Sequence, residues 1–361
     1  MDHGGRSFFD LAGAPRFLYT RGRRFFKVPQ RLSMSSNIDV LTVGNAIVDI
    51  FARCDDAFLA AHNVGKGMMN LVDADQSAAL YAAIGSPREI SGGSAANTAV
   101  GIAALGGSAG FAGRVHDDEL GHAFIGDIRD AGVGFGATPQ SGGSPTASSI
   151  ILVSDDATRS MNTYLGACIE FEPGDIRQSD VEAAQVVYLE GYLFDAPAGP
   201  DIFARAVDLA ARHNTRLSLS LSDPWCAERH REALSRFVRD HVDILFANED
   251  EAASLCDLPV DDAAAILGRQ CDEVVITRGA NGAFIGCGDE SHEIPARPHG
   301  AVVDTTGAGD LFAAGYLYGR TNGYDPRQSG VIASLCAGEV ISHIGARPEA
   351  DIAALVAAEN L

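Results

Sequence analysis

In the stretch VVDTTGAGDLFAAGYLYG, residues 302–319, two glycines, two threonines and two aspartates crowd residues 304–310, directly in front of an apolar helical pattern. Gly307 and Gly309 permit the tight turn that points the amides of Ala308, Gly309 and Asp310 together at a helix N-terminus, a seat for an anion. An aspartate in a first helical turn ordinarily complements the helix dipole. Beside an anion hole it has a second use. Asp310 can take the proton of a hydroxyl while the amides meet the charge that builds on a phosphoryl group. The anion then belongs to the substrate, and the acid is its base.

Four further groups carry recognition chemistry, each with a plainer alternative, which for Asn45 and Asp49 is that of ordinary polar loop residues. In SGGSAANTAVGIAALGG, residues 91–107, Gly92 and Gly93 let a ligand approach the backbone, and Asn97, one turn on, offers both a donor and an acceptor to a hydroxyl. The alternative is a small-residue helix capped by Ser94. Asn45 and Asp49 follow the first strand pattern four residues apart, and Asp49 can accept hydrogen bonds from two sugar hydroxyls. Asn248 and Glu251 in DILFANEDEA suit magnesium held through waters, or serve as an acidic helix cap. Thr277 and Gly279 in VVITRGANGA can meet nucleotide phosphates, or the NG pair closes a hairpin.

Known nucleotide loops are missing. A P-loop needs a lysine after its last glycine, and the chain's two lysines, Lys27 and Lys66, complete none; GAGDLF puts Phe312 where a dinucleotide fingerprint needs glycine. A Walker-type kinase and a dehydrogenase both lose their signature. The seven cysteines form no C-x-x-C pair and read as reduced core thiols. With a net charge of −21, the 361-residue chain offers no attraction to nucleic acid or to an anionic membrane. No apolar run approaches the roughly 20 residues that cross a bilayer, and the chain is expected to be cytoplasmic.

These groups need a scaffold that brings them together. Residues 1–36 hold seven basic residues against two acidic ones and stand apart as a disordered or misassigned extension, with Met34 an alternative start. From 37 to 361, short apolar runs alternate with helical patterns: DVLTVGNAIVDI, AGFAGRV, AQVVYLEGYL, TRLSLSLS, VDILFANEDEA, DEVVITRGANGAFIG and AVVDTTGAGDLFAAGYLYG each place a strand before a turn. That alternation predicts an α/β fold, a mostly parallel sheet flanked by helices, with ligands at the strands' carboxyl ends. Residues 50–72 and 138–166 break the pattern, and PTASSIILVSDDATRSMNTYLG predicts a hairpin, so these segments are expected to form a small β-sheet lid. Arg159 sits in the second segment, where its guanidinium can reach a transferring phosphate or simply face solvent.

Taken together, the chain resembles the ribokinase (PfkB) family of sugar and nucleoside kinases over about residues 38–347. DTTGAGD looks like that family's C-terminal signature, GGSAANTAVGIAALGG followed by GRVHDDELG like its N-terminal one, and NEDE like its N-x-x-E motif. The resemblance implies ATP and Mg2+ as cofactors and transfer of the γ-phosphoryl to a hydroxymethyl group. It implies Asp310 as catalytic base, an anion hole from the amides of residues 307–310, and Asn248 and Glu251 ordering the metal's waters. K+ activation through Asp304 is implied by resemblance alone. GNAIVDI, DDAFLAAHNV, RSMNTYLGAC and VDILFANEDEA look most like the adenosine kinase branch, where Asn45, Asp49, Gly93 and Asn97 would hold the ribose. The substrate expected is therefore adenosine, phosphorylated on its 5′-hydroxyl by a monomer or homodimer. The DTTGAGD spelling is common in sugar kinases, so a fructose- or ribose-type substrate, or another nucleoside such as inosine or guanosine, is the alternative. Met68, Met69 and Tyr164 are candidates for an apolar slot around a base.

Overall fold

The computed structural model describes residues 38–361 apart from 86, 157 and 360; the basic extension and Met34 lie outside them. The larger sheet contains β1 (Ile38–Val43), β5 (Ala109–Ala112), β6 (Gly134–Phe135), β9 (Ala184–Glu190), β10 (Arg216–Ser220), β11 (Ile244–Asn248), β12 (Glu273–Thr277), β13 (Ala283–Cys287) and β14 (Glu290–Ile294). Their order is β14-β13-β12-β11-β10-β9-β1-β5-β6, parallel from β6 through β12 and antiparallel beyond. Both faces are covered. Along β1 and β9, Val40, Val186 and Tyr188 enter one apolar cluster while Leu41, Val43, Val187 and Leu189 enter the other. This is the period-two alternation of strands buried on both sides.

A second sheet of five strands runs β3-β8-β7-β2-β4, from β2 (Ile47–Arg53), β3 (Met69–Leu71), β4 (Arg88–Gly92), β7 (Ala147–Val153) and β8 (Arg159–Tyr164). The expected hairpin at 145–166 is the antiparallel pair β7 and β8. The first expected segment, 50–72, is too short. This sheet draws on residues 47–92 there, because Arg88–Gly92 pairs antiparallel with β2. DVLTVGNAIVDI is likewise two strands in two sheets, and its Gly44-Asn45-Ala46 corner carries the chain from one to the other.

The residues immediately before DTTGAGD form no strand, contrary to expectation. Val302 and Val303 are 63% and 57% exposed, and the Val303 amide donates to the Ile341 carbonyl (2.8 Å) rather than to a ladder. Local β propensity was overridden because no strand edge is presented to this segment.

The helix Ala308–Thr321 is instead fixed from its far end. Glu273, at the start of β12 and 1% exposed, accepts hydrogen bonds from the Tyr316 hydroxyl (2.6 Å), Arg320 (3.0 and 3.2 Å) and Arg216 (3.0 Å). Small residues then bring its N-terminal half against the helix Ser94–Ala104. A Cβ on Gly101 would lie 2.6 Å from that of Ala314. Close approach of these two helices lets side chains near their N-termini touch.

Candidate active site

Asp310 stands where the two helices meet. Its Oδ1 accepts from the Ser94 hydroxyl (2.6 Å) and its Oδ2 from Asn97 Nδ2 (2.9 Å), while its carbonyl accepts from the Thr98 hydroxyl (3.2 Å). Gly307, at φ +78°, opens the helix without a side-chain cap. The Ala308 amide donates back to Thr305 (3.2 Å), so that member of the expected anion hole is already engaged. Among the described residues the amides of Gly309 and Asp310 have no partner, and they leave a donor pair at a positive helix end. Burial raises the Asp310 carboxyl above its usual range, opposed by the Ser94 and Asn97 hydrogen bonds and by the Arg347 charge. A carboxylate made more basic by enclosure is suited to accept a proton.

Asn45, Asp49, Gly92, Gly93 and Asn97 gather beside it. β2 and β4 pair so that Gly92 faces Ile47, and a Cβ on Gly92 would stand 2.3 Å from Asp49 Oδ2. Gly93 adopts φ +97°, with the site of its missing Cβ 2.1 Å from the Asn45 carbonyl oxygen. The two glycines are therefore needed for the backbone to pass under Asp49 and Asn45. Gly93, not Ser94, caps the helix; the Ser94 hydroxyl serves Asp310 instead. Asn97 Oδ1 is buried with no partner, an acceptor left for a donor from outside the chain. Burial pushes the Asp49 carboxyl up to about 7, against the lowering charges of Arg347 and Arg159.

The remaining expected residues line the carboxyl ends of neighbouring strands. Asn248 ends β11 in register with Thr277 at the end of β12. Asn248 and Glu251 form a reciprocal capping box: Glu251 accepts from the Asn248 backbone (2.9 Å) and side-chain (2.8 Å) amides, and Asn248 Oδ1 accepts from the Glu251 amide (2.8 Å). The plainer alternative is thus realised. Each oxygen keeps a free lone pair, so the capping box still leaves acceptors that can order a metal's waters. Burial raises Glu251 to about 7, with Asp223 and Asp310 adding to the effect. Gly279, at φ +52°, opens the short β12–β13 turn, with open space where a Cβ would point.

Arg159 reaches from β8 of the second sheet to the DTTGAGD loop. Its Nη1 donates to Asp304 and to the Thr306 hydroxyl (3.0 Å), while Nε and Nη2 are buried without partners, donors free for an anion such as phosphate. Asp304, expected to favour potassium, also accepts from the Thr306 amide (3.1 Å) and hydroxyl (2.8 Å) and the Gly345 amide (2.9 Å). Met68 and Met69 are 59% and 61% exposed at the β3 edge.

Sequence reasoning missed Glu190, Asp223 and Arg347. Glu190 is fully buried at the end of β9, where it accepts from the amides of Asn45 (2.7 Å) and Ala95 (2.9 Å), and burial raises it to about 7. Its place at a strand's carboxyl end was the available signal. Asp223 caps the helix Pro224–Arg229, accepting from the Cys226 amide (2.8 Å), and a D-P pair at a helix start reads as an ordinary cap. Asp195, Cys226 and His230 also converge, but Asp195 is bound by Arg229 on both oxygens (2.9 and 2.8 Å) and by His230 (2.7 Å), so the group is a hydrogen-bonded surface pin.

The pattern of the pfkB family carbohydrate kinases matches residues 63–353. Among solved structures, the chain is similar to the adenosine kinase of Sinorhizobium meliloti, with 44% identity, a TM-score of 0.81, and coverage of 89% of this chain and 99% of that one. It is equally similar to a Rhizobium etli protein described as a probable sugar kinase, with 43% identity, a TM-score of 0.82, and coverage of 91% and 99%. The adenosine kinase of Saccharomyces cerevisiae is 29% identical over 310 residues, 79% of this chain and 89% of the yeast protein.

Replacing Gly93 with alanine should strain a backbone of positive φ by about 1–3 kcal/mol and displace Asn45. The expected outcome in steady-state kinetics is a KM for the phosphoryl acceptor raised about tenfold or more with little change in the KM for ATP. Equal effects on both constants would count against a role of the Gly93–Asn45 contact in acceptor binding.

Proposed function

The chain belongs to the pfkB family of carbohydrate kinases, and on that premise we propose that it transfers the γ-phosphoryl of ATP to the 5′-hydroxyl of adenosine. The observation that carries the reading is Asp310, a carboxylate of raised basicity held by Ser94 and Asn97 next to two unpartnered helix amides. Adenosine is favoured over other acceptors by the resemblance of GNAIVDI and RSMNTYLGAC to the adenosine kinase branch, and by the 44% identity to the Sinorhizobium meliloti enzyme.

In this account Asp49, Asn45 and the Gly92-Gly93 backbone hold the ribose hydroxyls, and Asn97 Oδ1 takes a hydroxyl donor. Asp310 removes the 5′-hydroxyl proton as the oxygen attacks in line. The amides of Gly309 and Asp310 and the free nitrogens of Arg159 meet the charge that develops on the transferring group. ATP supplies the phosphoryl, and a divalent cation, its waters ordered by Asn248 and Glu251, offsets phosphate charge when bound. Thr277 and Gly279 line the nucleotide's path at the end of β12. Arg159 lies on the second sheet and already bonds Asp304 and Thr306 of the DTTGAGD loop, so in this account that sheet holds the arginine beside the transferring group and helps exclude water.

A free sugar as acceptor is the second reading. It is favoured by Thr306, which gives the loop its DTTGAGD spelling and donates its hydroxyl to Asp304, and by the similarity to the Rhizobium etli protein.

ADP release from Mg-ATP with adenosine, inosine, ribose and fructose side by side tests the substrate; kcat/KM should favour adenosine by orders of magnitude, and a sugar in first place would overturn the nucleoside assignment. The base is tested separately. Asp310→Asn should keep the fold and ATP affinity while lowering kcat by about two to four orders of magnitude. Near-normal turnover in that variant would remove Asp310 from the role.

A further inference from the structure

One short segment touches both the DTTGAGD loop and the elements that carry the acceptor clasp. After the helix Pro326–Val340, the Ile341 carbonyl accepts from the amides of Val303 (2.8 Å) and Asp304 (3.3 Å), and the Gly345 amide donates to Asp304 (2.9 Å). Ala346 packs so closely on the Gly307 turn that a Cβ there would lie 2.5 Å from its own. The next residue is Arg347.

The Arg347 guanidinium enters the gap between β4 and the helix Ser94–Ala104. Its Nε and Nη2 donate to the Ser91 carbonyl, the first at 3.1 Å, Nη2 also donates to the Ser91 hydroxyl (2.9 Å), and Nη1 donates to the Ala96 carbonyl (3.3 Å). Ser91 directly precedes the glycines that back Asn45 and Asp49. Ala96 lies between Ser94 and Asn97, the two donors to Asp310. No carboxylate lies within ion-pair distance of this guanidinium among the described residues, yet the charges of three act on it: Asp127 of the Glu119–Asp130 helix, Asp49 of β2 and Asp310 of the Ala308–Thr321 helix. Asp127 is committed elsewhere, accepting from the Ser91 amide (2.8 Å) and hydroxyl.

We infer that Arg347 is a positioning residue that braces the acceptor clasp against the base and supplies the buried counter-charge for Asp49. The inference rests on the roles given above to Asp49 and Asp310. A cation without a close partner, held by neutral oxygens amid carboxylates, favours the ionised form of each of them. The charges that face Asp49 are Arg347 from the C-terminal segment, Arg159 from β8 and Asp310, the last opposing ionisation. Burial works against the Arg347 charge and lowers it to about 10, so it stays protonated throughout the working range. Asp49 accepts two hydroxyls only as the carboxylate, so acceptor binding is lost as pH falls through about 7.

The test is the pH dependence of kcat/KM for the best acceptor, with the full chain as wild type, R347Q, R347K and D49N. Glutamine keeps a donor for Ser91 or Ala96 and loses the charge; lysine keeps the charge and loses the fork. R347Q should move the acidic limb upward by about one pH unit or more. R347K should leave the limb near that of wild type while raising the acceptor KM. A purely structural arginine would lower the melting temperature in both variants with the limb unmoved, and that result overturns the inference. D49N should raise the acceptor KM and remove the part of the limb that Asp49 sets, leaving only that of the base Asp310. If it does so while R347Q behaves as wild type, the inference alone falls; if D49N changes neither, the role of Asp49 falls and the inference with it.

Discussion

The contact on which this site depends is the grip of two helix N-termini on one carboxylate. Ser94 and Asn97 come from one helix and Asp310 from another more than 200 residues later, with hydrogen bonds of 2.6 and 2.9 Å. The rest of the fold serves that contact. The Glu273 network anchors the far end of the Asp310 helix, and the missing side chain of Gly101 lets its near end approach the Ser94 helix. The same two-point grip fixes the carboxylate's direction and keeps it from being the dipole cap that a first-turn aspartate usually is.

A second consequence is electrostatic. Asp49, Glu190, Glu251 and Asp310 all lie where burial raises their pKa, in a chain with two lysines and a large net negative charge. Charge balance near the acceptor therefore falls to a few arginines. Arg159 retains two uncommitted nitrogens and Arg347 has carboxylates only at a distance. Both come from segments remote in sequence, which gives the second sheet and the C-terminal segment a direct hold on the chemistry. Glu190, which accepts from the Asn45 and Ala95 amides, ties the Gly44–Ala46 corner to the Ser94–Ala104 helix.

What was legible in the chain was what is local. Gly307, Gly309 and Asp310 share one turn, and Gly92, Gly93 and Asn97 share another, so type and spacing pointed to both turns. The parallel sheet was legible from strand-and-helix alternation, and the β7–β8 hairpin from its turn residues. Where two readings competed, as at Asn248 and Glu251, the structure realises the capping box. What escaped was register. Arg347 meets Ser91 across 256 residues and Glu190 meets Asn45 across 145, and neither sits in a pattern that marks a partner. Val302 and Val303 mislead in the opposite sense, since β-branched residues make a strand only where an edge is there to receive them.

The central claim is that Asp310 takes a proton and never the phosphoryl group. The stereochemical course at phosphorus tests it most directly, using ATP made chiral at the γ-phosphorus with oxygen isotopes. Direct in-line transfer predicts inversion of configuration in the product. Retention, the signature of two successive displacements through a phosphorylated side chain, would contradict the account.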